Sequence, residues 1–320
     1  MKNSQKSKEF WDILDTLFVV SSEVYKGKGE DSFCCSYNEN AALIGVFDGC
    51  GGLGARQYKH YEDHTGAYIA SRIASGAVYE WFQLLKSGKS IDKLSVELQE
   101  KITSALLQGE RMGGETLKLR GSLVRDFPTT AAIVVAGYNE GTVSIDVIWA
   151  GDSRVYLLES NGLGVLTQDD TDSRDAFDDL RNDPVQTNVI SSDGNFMFHG
   201  KRVQLNKPTI VFTSTDGYFG YWKTPMHFEY FLLDTLKRSG SLIDWKQKLN
   251  TEIQDIAGDD ATLALMAFRF GTFKELKKNY IGRYKYLENR YILPLSESYT
   301  EAKAKALWQE YRRSYERYLD

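Results

Sequence analysis

Five aspartates stand where apolar, β-like runs give way to turns, and this constrains the fold of the chain more than any other feature. They are Asp31 in Gly29-Glu30-Asp31-Ser32-Phe33, Asp48 in Gly45-Val46-Phe47-Asp48-Gly49-Cys50-Gly51-Gly52, Asp152 in Ala150-Gly151-Asp152-Ser153-Arg154, Asp216 in Thr213-Ser214-Thr215-Asp216-Gly217, and Asp259 in Gly258-Asp259-Asp260-Ala261-Thr262. Four of them adjoin runs such as Ala41 to Phe47, Val143 to Ala150, Thr209 to Phe212 and Ala261 to Phe268. A carboxylate at the end of a core strand is costly to bury unless it shares a cation. Converging oxygen ligands with no histidine among them suit a hard ion such as Mg²⁺ or Mn²⁺. Separate turn aspartates thus become one candidate site.

The remaining bounds are broad. At 320 residues the chain holds one large domain or two small ones, and 42% hydrophobic with 26% charged residues is ordinary for a soluble globular protein. A net charge of -5 provides no electrostatic footprint for nucleic acid. No apolar run is long enough to span a bilayer. Met1 to Glu9 is polar and Lys-rich, and Phe10 to Val20 carries two aspartates, a poor secretion signal. Cys34, Cys35 and Cys50, odd in number and two of them adjacent, give neither a disulfide framework nor zinc spacing. A cytoplasmic protein with free thiols is expected, with no membrane and no nucleic-acid partner.

Periodicity predicts strands at about 17 to 25 and 32 to 37, then a buried strand from Ala41 to Phe47. Helical spacing follows from Gly54 to Leu85, with Tyr58, Tyr61, Ala67, Ile69, Ile73, Ala74, Val78 and Phe82 in a stripe. Ser90 or Asp92 caps a second helix, read to about Leu119, with Leu94, Leu98, Ile102 and Leu106 four apart. Strands are then predicted at Thr130 to Tyr138, Thr142 to Ala150, Val155 to Leu158 and Gly164 to Thr167, with hairpin turns at Asn139-Glu140-Gly141 and Asn161-Gly162. Residues 168 to 207 read as polar and irregular. A strand from Thr209 to Phe212, helices from Pro225 to Lys237 and Leu242 to Ile256, and a strand from Thr262 to Phe270 complete the pattern. Helix pairs set between groups of strands argue α+β rather than alternating βαβ. Two antiparallel sheets packed face to face, with helix pairs outside, would bury these faces. Phe273 to Asp320 is rich in Lys, Arg and Tyr, and Ser296 to Asp320 is helical in pattern. That segment reads as a tail packed on the body, with a partner surface as the alternative.

The motifs, taken in order, resemble those of the metal-dependent protein phosphatase 2C (PPM) family, in a bacterial-type form. Glu30-Asp31-Ser32-Phe33 resembles E-D-S/A, and Val46 to Gly52 resembles V-x-D-G-x-G-G. Thr129-Thr130-Ala131 resembles the family's G-T-T-x segment, and Ala150 to Tyr156 its G-D-S-R-x-Y signature. Leu166 to Thr171 resembles L-T-x-D-H-S/T, Thr215-Asp216-Gly217 resembles S-D-G, and Asp259 to Thr262 resembles D-N/D-x-T. One Asp-Gly alone is a common turn; seven segments in order between about residues 17 and 269 are specific.

The resemblance implies a four-layer α-β-β-α sandwich over residues 1–271, with residues 272–320 as a helical C-terminal extension. It implies hydrolysis of phosphoserine and phosphothreonine on proteins by a water activated between two Mn²⁺ or Mg²⁺ ions, with a cognate kinase as the opposing partner. Carried over, Asp48 bridges the ions, the Gly49 carbonyl and Glu30 or Asp31 serve one, and Asp216 and Asp259 hold the other. Asp152 with Asp216 would make a weaker third site; its alternative is a turn cap paired with Arg154. Lys26 occupies the family's phosphate-gripping arginine position, where it loses the bidentate fork. Cys50 replaces a histidine common after the Asp-Gly, Asp170 replaces the histidine of L-T-x-D-H, Gly220 replaces an aspartate and Pro128 a glycine. The segment from Asp170 to Thr209 corresponds to the family's variable flap. His60, His64, His199 and His227 show no metal spacing and read as structural or surface residues. Two other functions stay open: a phosphatase-like binding module that turns over poorly, and a hydrolase of small phosphoesters.

Overall fold

The computed structural model describes residues 9–85, 88–114, 126–139, 141–173, 175–180 and 184–319. Its centre is built from runs too apolar to have a wet face. The strands are β1 (Leu14–Ser22), β2 (Ser32–Tyr37), β3 (Ala41–Phe47), a short hairpin of β4 (Gln57–Tyr58) and β5 (His64–Thr65), β6 (Ala131–Asn139), β7 (Thr142–Ala150), β8 (Arg154–Glu159), β9 (Gly162–Val165), β10 (His199–Leu205), β11 (Thr209–Ser214) and β12 (Ala261–Phe268). Every residue of β11 and β12 is buried, as expected for strands covered on both faces. Two five-stranded antiparallel sheets result, ordered β1-β12-β11-β8-β9 and β10-β7-β6-β3-β2.

Alternation along each strand sorts its side chains between two layers. Ile44, Val46, Val134 and Ile145 of the second sheet meet Val155, Leu157, Val211, Ala264 and Met266 of the first, in a core between the sheets. Leu43, Phe47, Ile133 and Ile148 point the other way, against α1 (Gly66–Gln83) and α2 (Ile91–Gly113). The helical stripe Leu94, Leu98, Ile102 and Leu106 is buried there as its spacing predicts. Beyond the first sheet, Phe18, Phe212 and Leu265 pack on α5 (Pro225–Arg238) and α6 (Leu242–Gln254), with the short α3 (Ala176–Asp179) and α4 (Asp216–Phe219) between strands. The same core takes Tyr280 and Tyr284 of α7 (Phe273–Leu287), Leu295 of α8 (Leu293–Glu297), and Trp308, Tyr311 and Tyr315 of α9 (Glu301–Tyr315). The architecture is the expected α+β, four-layer sandwich with C-terminal helices added.

Three expectations are corrected locally. The helix read from Gly54 begins at Gly66, because Glu62 and Asp63 turn the chain through left-handed φ values of 55° and 61°. Thr65 then caps α1, its hydroxyl accepting from the Tyr68 N–H at 3.1 Å. Tyr58 and Tyr61 leave the stripe and flank Phe127 instead, with ring centroids 5.0 and 6.1 Å away. The second helix ends at Gly113 rather than Leu119; residues 115–125 lie outside the described ones, as does Glu140 of one hairpin turn. Finally, β10 forms inside the stretch read as irregular. It is an edge strand with Lys201 and Arg202 among its residues, which masked its alternation.

Register carries all five aspartates to one end of the sandwich. Ser32 pairs with Phe47, which sets Asp31 beside Asp48. Ala131 pairs with Ala150, so the turn holding Asp152 starts alongside. Ser214 pairs with Leu263, so Asp216 leaves β11 where Asp259 and Asp260 enter β12.

Candidate active site

Asp48 follows the last residue of β3, and its carbonyl is fixed by the Thr130 N–H at 2.8 Å and the Thr129 hydroxyl at 2.7 Å. Its carboxyl faces that of Asp216 at hydrogen-bond range. Burial pushes the Asp48 carboxyl well above its ordinary range, and the charges of Asp216, Asp31 and Asp152 push it the same way. Asp31 is raised in turn, by burial first, although the Thr262 and Thr215 hydroxyls favour its charge. The Thr215 bond is 2.8 Å. Asp152 is pushed up to about 7 by burial and then by Asp216 and Asp169. Its Oδ2 accepts from the Gln186 side-chain amide at 2.6 Å, while its Oδ1 is buried without a hydrogen-bond partner.

The residues expected at the site are placed unevenly. Asp31, Asp48, Asp152 and Asp216 act on one another's charge, and Cys50 lies among them. Glu30 is half-buried at the edge; its Oε1 accepts from Thr65, and burial raises it. Asp259 is exposed, near enough to Asp216 to be raised by it, though burial is the larger cause. Lys26 is exposed on the turn after β1, a turn tied to the site where the Val24 N–H donates to Asp260 Oδ1 at 2.9 Å. The pairing of Asp152 with Arg154 does not form. Arg154 points into the core beneath and forks onto Asp169, with bonds of 3.0, 3.0 and 2.6 Å.

Two glycines are set by close approach. A Cβ on Gly217 would lie 1.9 Å from the Asp260 carbonyl oxygen, and one on Gly49 would lie 2.6 Å from the Ala67 carbonyl oxygen and 2.8 Å from that of Glu30. Only glycine lets the Asp216 turn close on the Asp259-Asp260 turn, and the Asp48 turn on Glu30 and the start of α1.

Several residues outside the expected site set also shape it. Asp260 bonds the Val24 and Glu30 N–H groups, the latter at 2.6 Å, and so anchors the Glu30-Asp31 segment. Arg72 donates to the Gly29 carbonyl at 2.8 Å, lies 3.3 Å over the Tyr68 ring, and its charge favours the ionised form of Glu30. Gln186 spans Asp152 and Cys50, whose Sγ donates to Gln186 Oε1 at 3.3 Å. Asp170 accepts from the Gly151 N–H at 3.0 Å and from Asn188 at 2.6 Å, and its Oδ1 pairs with His199 Nε2 at 2.8 Å. The last pairing needed β10, which the sequence did not reveal.

Among the described residues no group of three or more His, Cys, Asp or Glu side chains is arranged as it stands to hold an ion. The chemistry of the group nevertheless fits a hard divalent cation. The donors are oxygens, like-charged carboxyls raise one another, and Asp152 Oδ1 is a buried acceptor with no donor. No helix among the described residues is long and apolar enough to cross a membrane.

No protein-family model and no curated protein sequence matches the chain. Solved structures do match. The serine/threonine phosphatase Stp1 from Staphylococcus aureus superposes with a TM-score of 0.60 at 19% identity, over 82% of this chain and 98% of that one. The Mycobacterium tuberculosis serine/threonine phosphatase PstP/Ppp gives 0.56 at 16% identity, over 80% and 98%. The catalytic domain of PstP in complex with two manganese ions gives 0.53 at 16% identity, again over 80% and 98%. The likeness lies in the fold rather than in the residues: the chain has the phosphatase 2C-type fold of these bacterial serine/threonine phosphatases.

Proposed function

We propose that the protein is a metal-dependent phosphatase acting on phosphoserine and phosphothreonine in proteins. One observation carries the reading: the Asp48 and Asp216 carboxyls meet at the junction of the two sheets, with Asp31 and Asp152 beside them. Buried like charges this close require protons or a cation. At neutral pH a divalent ion would replace those protons. Asp48, Asp216, Asp259, the Gly49 carbonyl and Glu30 or Asp31 are the groups that would hold two ions, with Asp152 available to a third. The manganese-bound catalytic domain of PstP, similar in fold, supports that assignment.

When bound, Mn²⁺ or Mg²⁺ would supply an acidified water and positive charge facing the phosphoryl oxygens. The chain supplies the rest. The Thr129 and Thr130 bonds to the Asp48 carbonyl fix the turn that carries Asp48 and Gly49. Thr215 and Thr262 donate to Asp31 and offset part of the effect of its burial, which still leaves it raised. Gln186 orients Asp152 and covers the Cys50 thiol. Burial and the surrounding carboxylates keep that thiol protonated, so it is not the nucleophile. Lys26, on its exposed turn, meets a phosphate as a point charge rather than a fork.

Phosphate release from a phosphothreonine peptide, from p-nitrophenyl phosphate and from nucleotides, each with and without Mn²⁺, tests the assignment. The peptide is expected to be the best substrate, in Mn²⁺ only. Faster turnover of nucleotides would move the protein to the small-phosphoester hydrolases.

A further inference from the structure

The C-terminal helix reaches the flap beside the site through bonds that packing alone does not require. Asp175 is the residue concerned. It caps α3, its Oδ1 accepting from the Phe177 N–H at 2.9 Å. The same oxygen accepts from Trp308 Nε1 at 2.9 Å, and Oδ2 accepts from Arg312 Nη1 at 2.8 Å. Both donors belong to α9. Phe177, fully buried, stacks on the Trp308 ring, and Lys305 reaches Asp178 at 3.4 Å. One turn further along α9, the Tyr315 hydroxyl meets Arg154, the residue that forks onto Asp169.

The flap's two described arms run from α3 back to the aspartates. Residues 170–172 pair with 185–187: the Asp172 N–H donates to the Val185 carbonyl at 3.2 Å, the Val185 N–H to Asp172 Oδ1 at 3.0 Å, and the Thr187 N–H to the Asp170 carbonyl at 2.7 Å. One arm ends at Asp170, bonded to Gly151; the other carries Gln186, bonded to Asp152. Among the described residues the Asp175 N–H also donates to the Ser173 hydroxyl at 3.5 Å, so contacts lead from α9 through Asp175 and Ser173 to the paired arms and on to Asp152.

We propose that Trp308 and Arg312 are positioning residues for the reaction proposed above: by clasping Asp175 they hold the flap so that Gln186 orients Asp152. The proposal rests on that reading of the site, and it makes the C-terminal helices part of the catalytic unit. Arg312 is the informative site because its side chain is partly exposed; Trp308 lies in the core.

The test combines hydrogen exchange with kinetics on the full chain. In Arg312→Ala and Trp308→Phe, exchange at the amides of Asp172, Val185 and Thr187 is expected to rise about tenfold, the loss of one charge-assisted or buried hydrogen bond. Amides of β11 and β12 should keep their protection. The kcat for a phosphothreonine peptide should fall about five- to tenfold, Arg312→Lys should recover most of it, and adding Gln186→Ala should cost little more, because both changes break one path. Unchanged exchange at the three amides, or losses in the double variant that simply multiply, would overturn the proposal. A wild-type chain that releases no phosphate in Mn²⁺ would instead sink the phosphatase reading, and the exchange data would still decide whether α9 holds the flap.

Discussion

Asp152 shows how much of a residue's role lies outside its own motif. The sequence marks it as an aspartate in a Gly-Asp-Ser-Arg turn and offers Arg154 as its partner. In the fold, Arg154 starts β8 and turns inward, where Phe219 lies 4.1 Å below its guanidinium and Asp169 takes its fork. Asp152 stays at the site, and a flap residue 34 positions away supplies its donor. The Arg154–Asp169 pair is nearly buried, at 5% and 11% side-chain exposure. Arg154→Ala would leave Asp169 and Asp179 without their shared cation, and should cost about 3–5 kcal/mol in denaturant unfolding. A loss below about 1 kcal/mol would show that water compensates the pair. Glycine positions were legible for the opposite reason. Gly49 and Gly217 adjoin their aspartates in sequence, although the backbone that crowds them, Ala67 and Glu30 at Gly49 and Asp260 at Gly217, lies far away in the chain.

Elements were legible where one periodicity ruled. The apolar runs of β3, β7, β11 and β12 and the start of helix α2 appear close to where their patterns place them, although Ser90 at the N-cap of α2 makes no side-chain cap bond. The hairpin before α1 and the edge strand β10 were not, because left-handed Glu62 and Asp63 and the charged residues of β10 carry no local signature of either element. Helix α5 makes a separate prediction. Thr224 caps it, and its hydroxyl also meets His227 Nδ1 at 2.8 Å. Burial, with help from Lys223, lowers His227 from its ordinary 6.5 to about 4. Between those values the unfolded chain binds the proton and the folded chain does not, so stability falls as pH drops below 6.5 and is fully present above it. At pH 5 the loss should be about 1–2 kcal/mol relative to pH 7.5, after allowance for partial exposure. His227→Gln should remove this part of the slope; a slope unchanged in the variant would mean that His227 titrates normally in the folded protein. The core beneath α5 and α6 is a second check at this scale. Trp245 is fully buried against Phe18, with ring centroids 5.8 Å apart, and Trp245→Ala should cost about 3–5 kcal/mol.

At the scale of the molecule, two sheets bring carboxylates from distant parts of the chain to one end and bury them together. This arrangement opposes folding unless a cation is present. Saturating Mn²⁺ should therefore raise the melting temperature, by roughly 5 °C at a hundredfold excess over the dissociation constant. Asp48→Asn with Asp216→Asn should do the reverse of an ordinary core lesion: it should stabilise the metal-free protein at neutral pH and abolish the Mn²⁺ shift. A double variant that melts lower than wild type without metal would mean that the pair is not under charge repulsion. The C-terminal helices share the core of the first sheet, with Tyr280, Tyr284, Trp308, Tyr311 and Tyr315 all buried. The sequence reads this segment as a tail packed on the body, with a partner surface as the alternative; Arg283 forks onto the fully buried Glu229, with both bonds at 2.7 Å.

The measurement that bears most directly on the central claim is phosphate release from a phosphothreonine peptide across a Mn²⁺ titration, for wild type and Asp216→Asn. The account predicts no release without the ion, saturable release with it, and a loss of at least about 100-fold in the variant, whose fold stays intact. Release that ignores Mn²⁺, or that survives in Asp216→Asn, would contradict it.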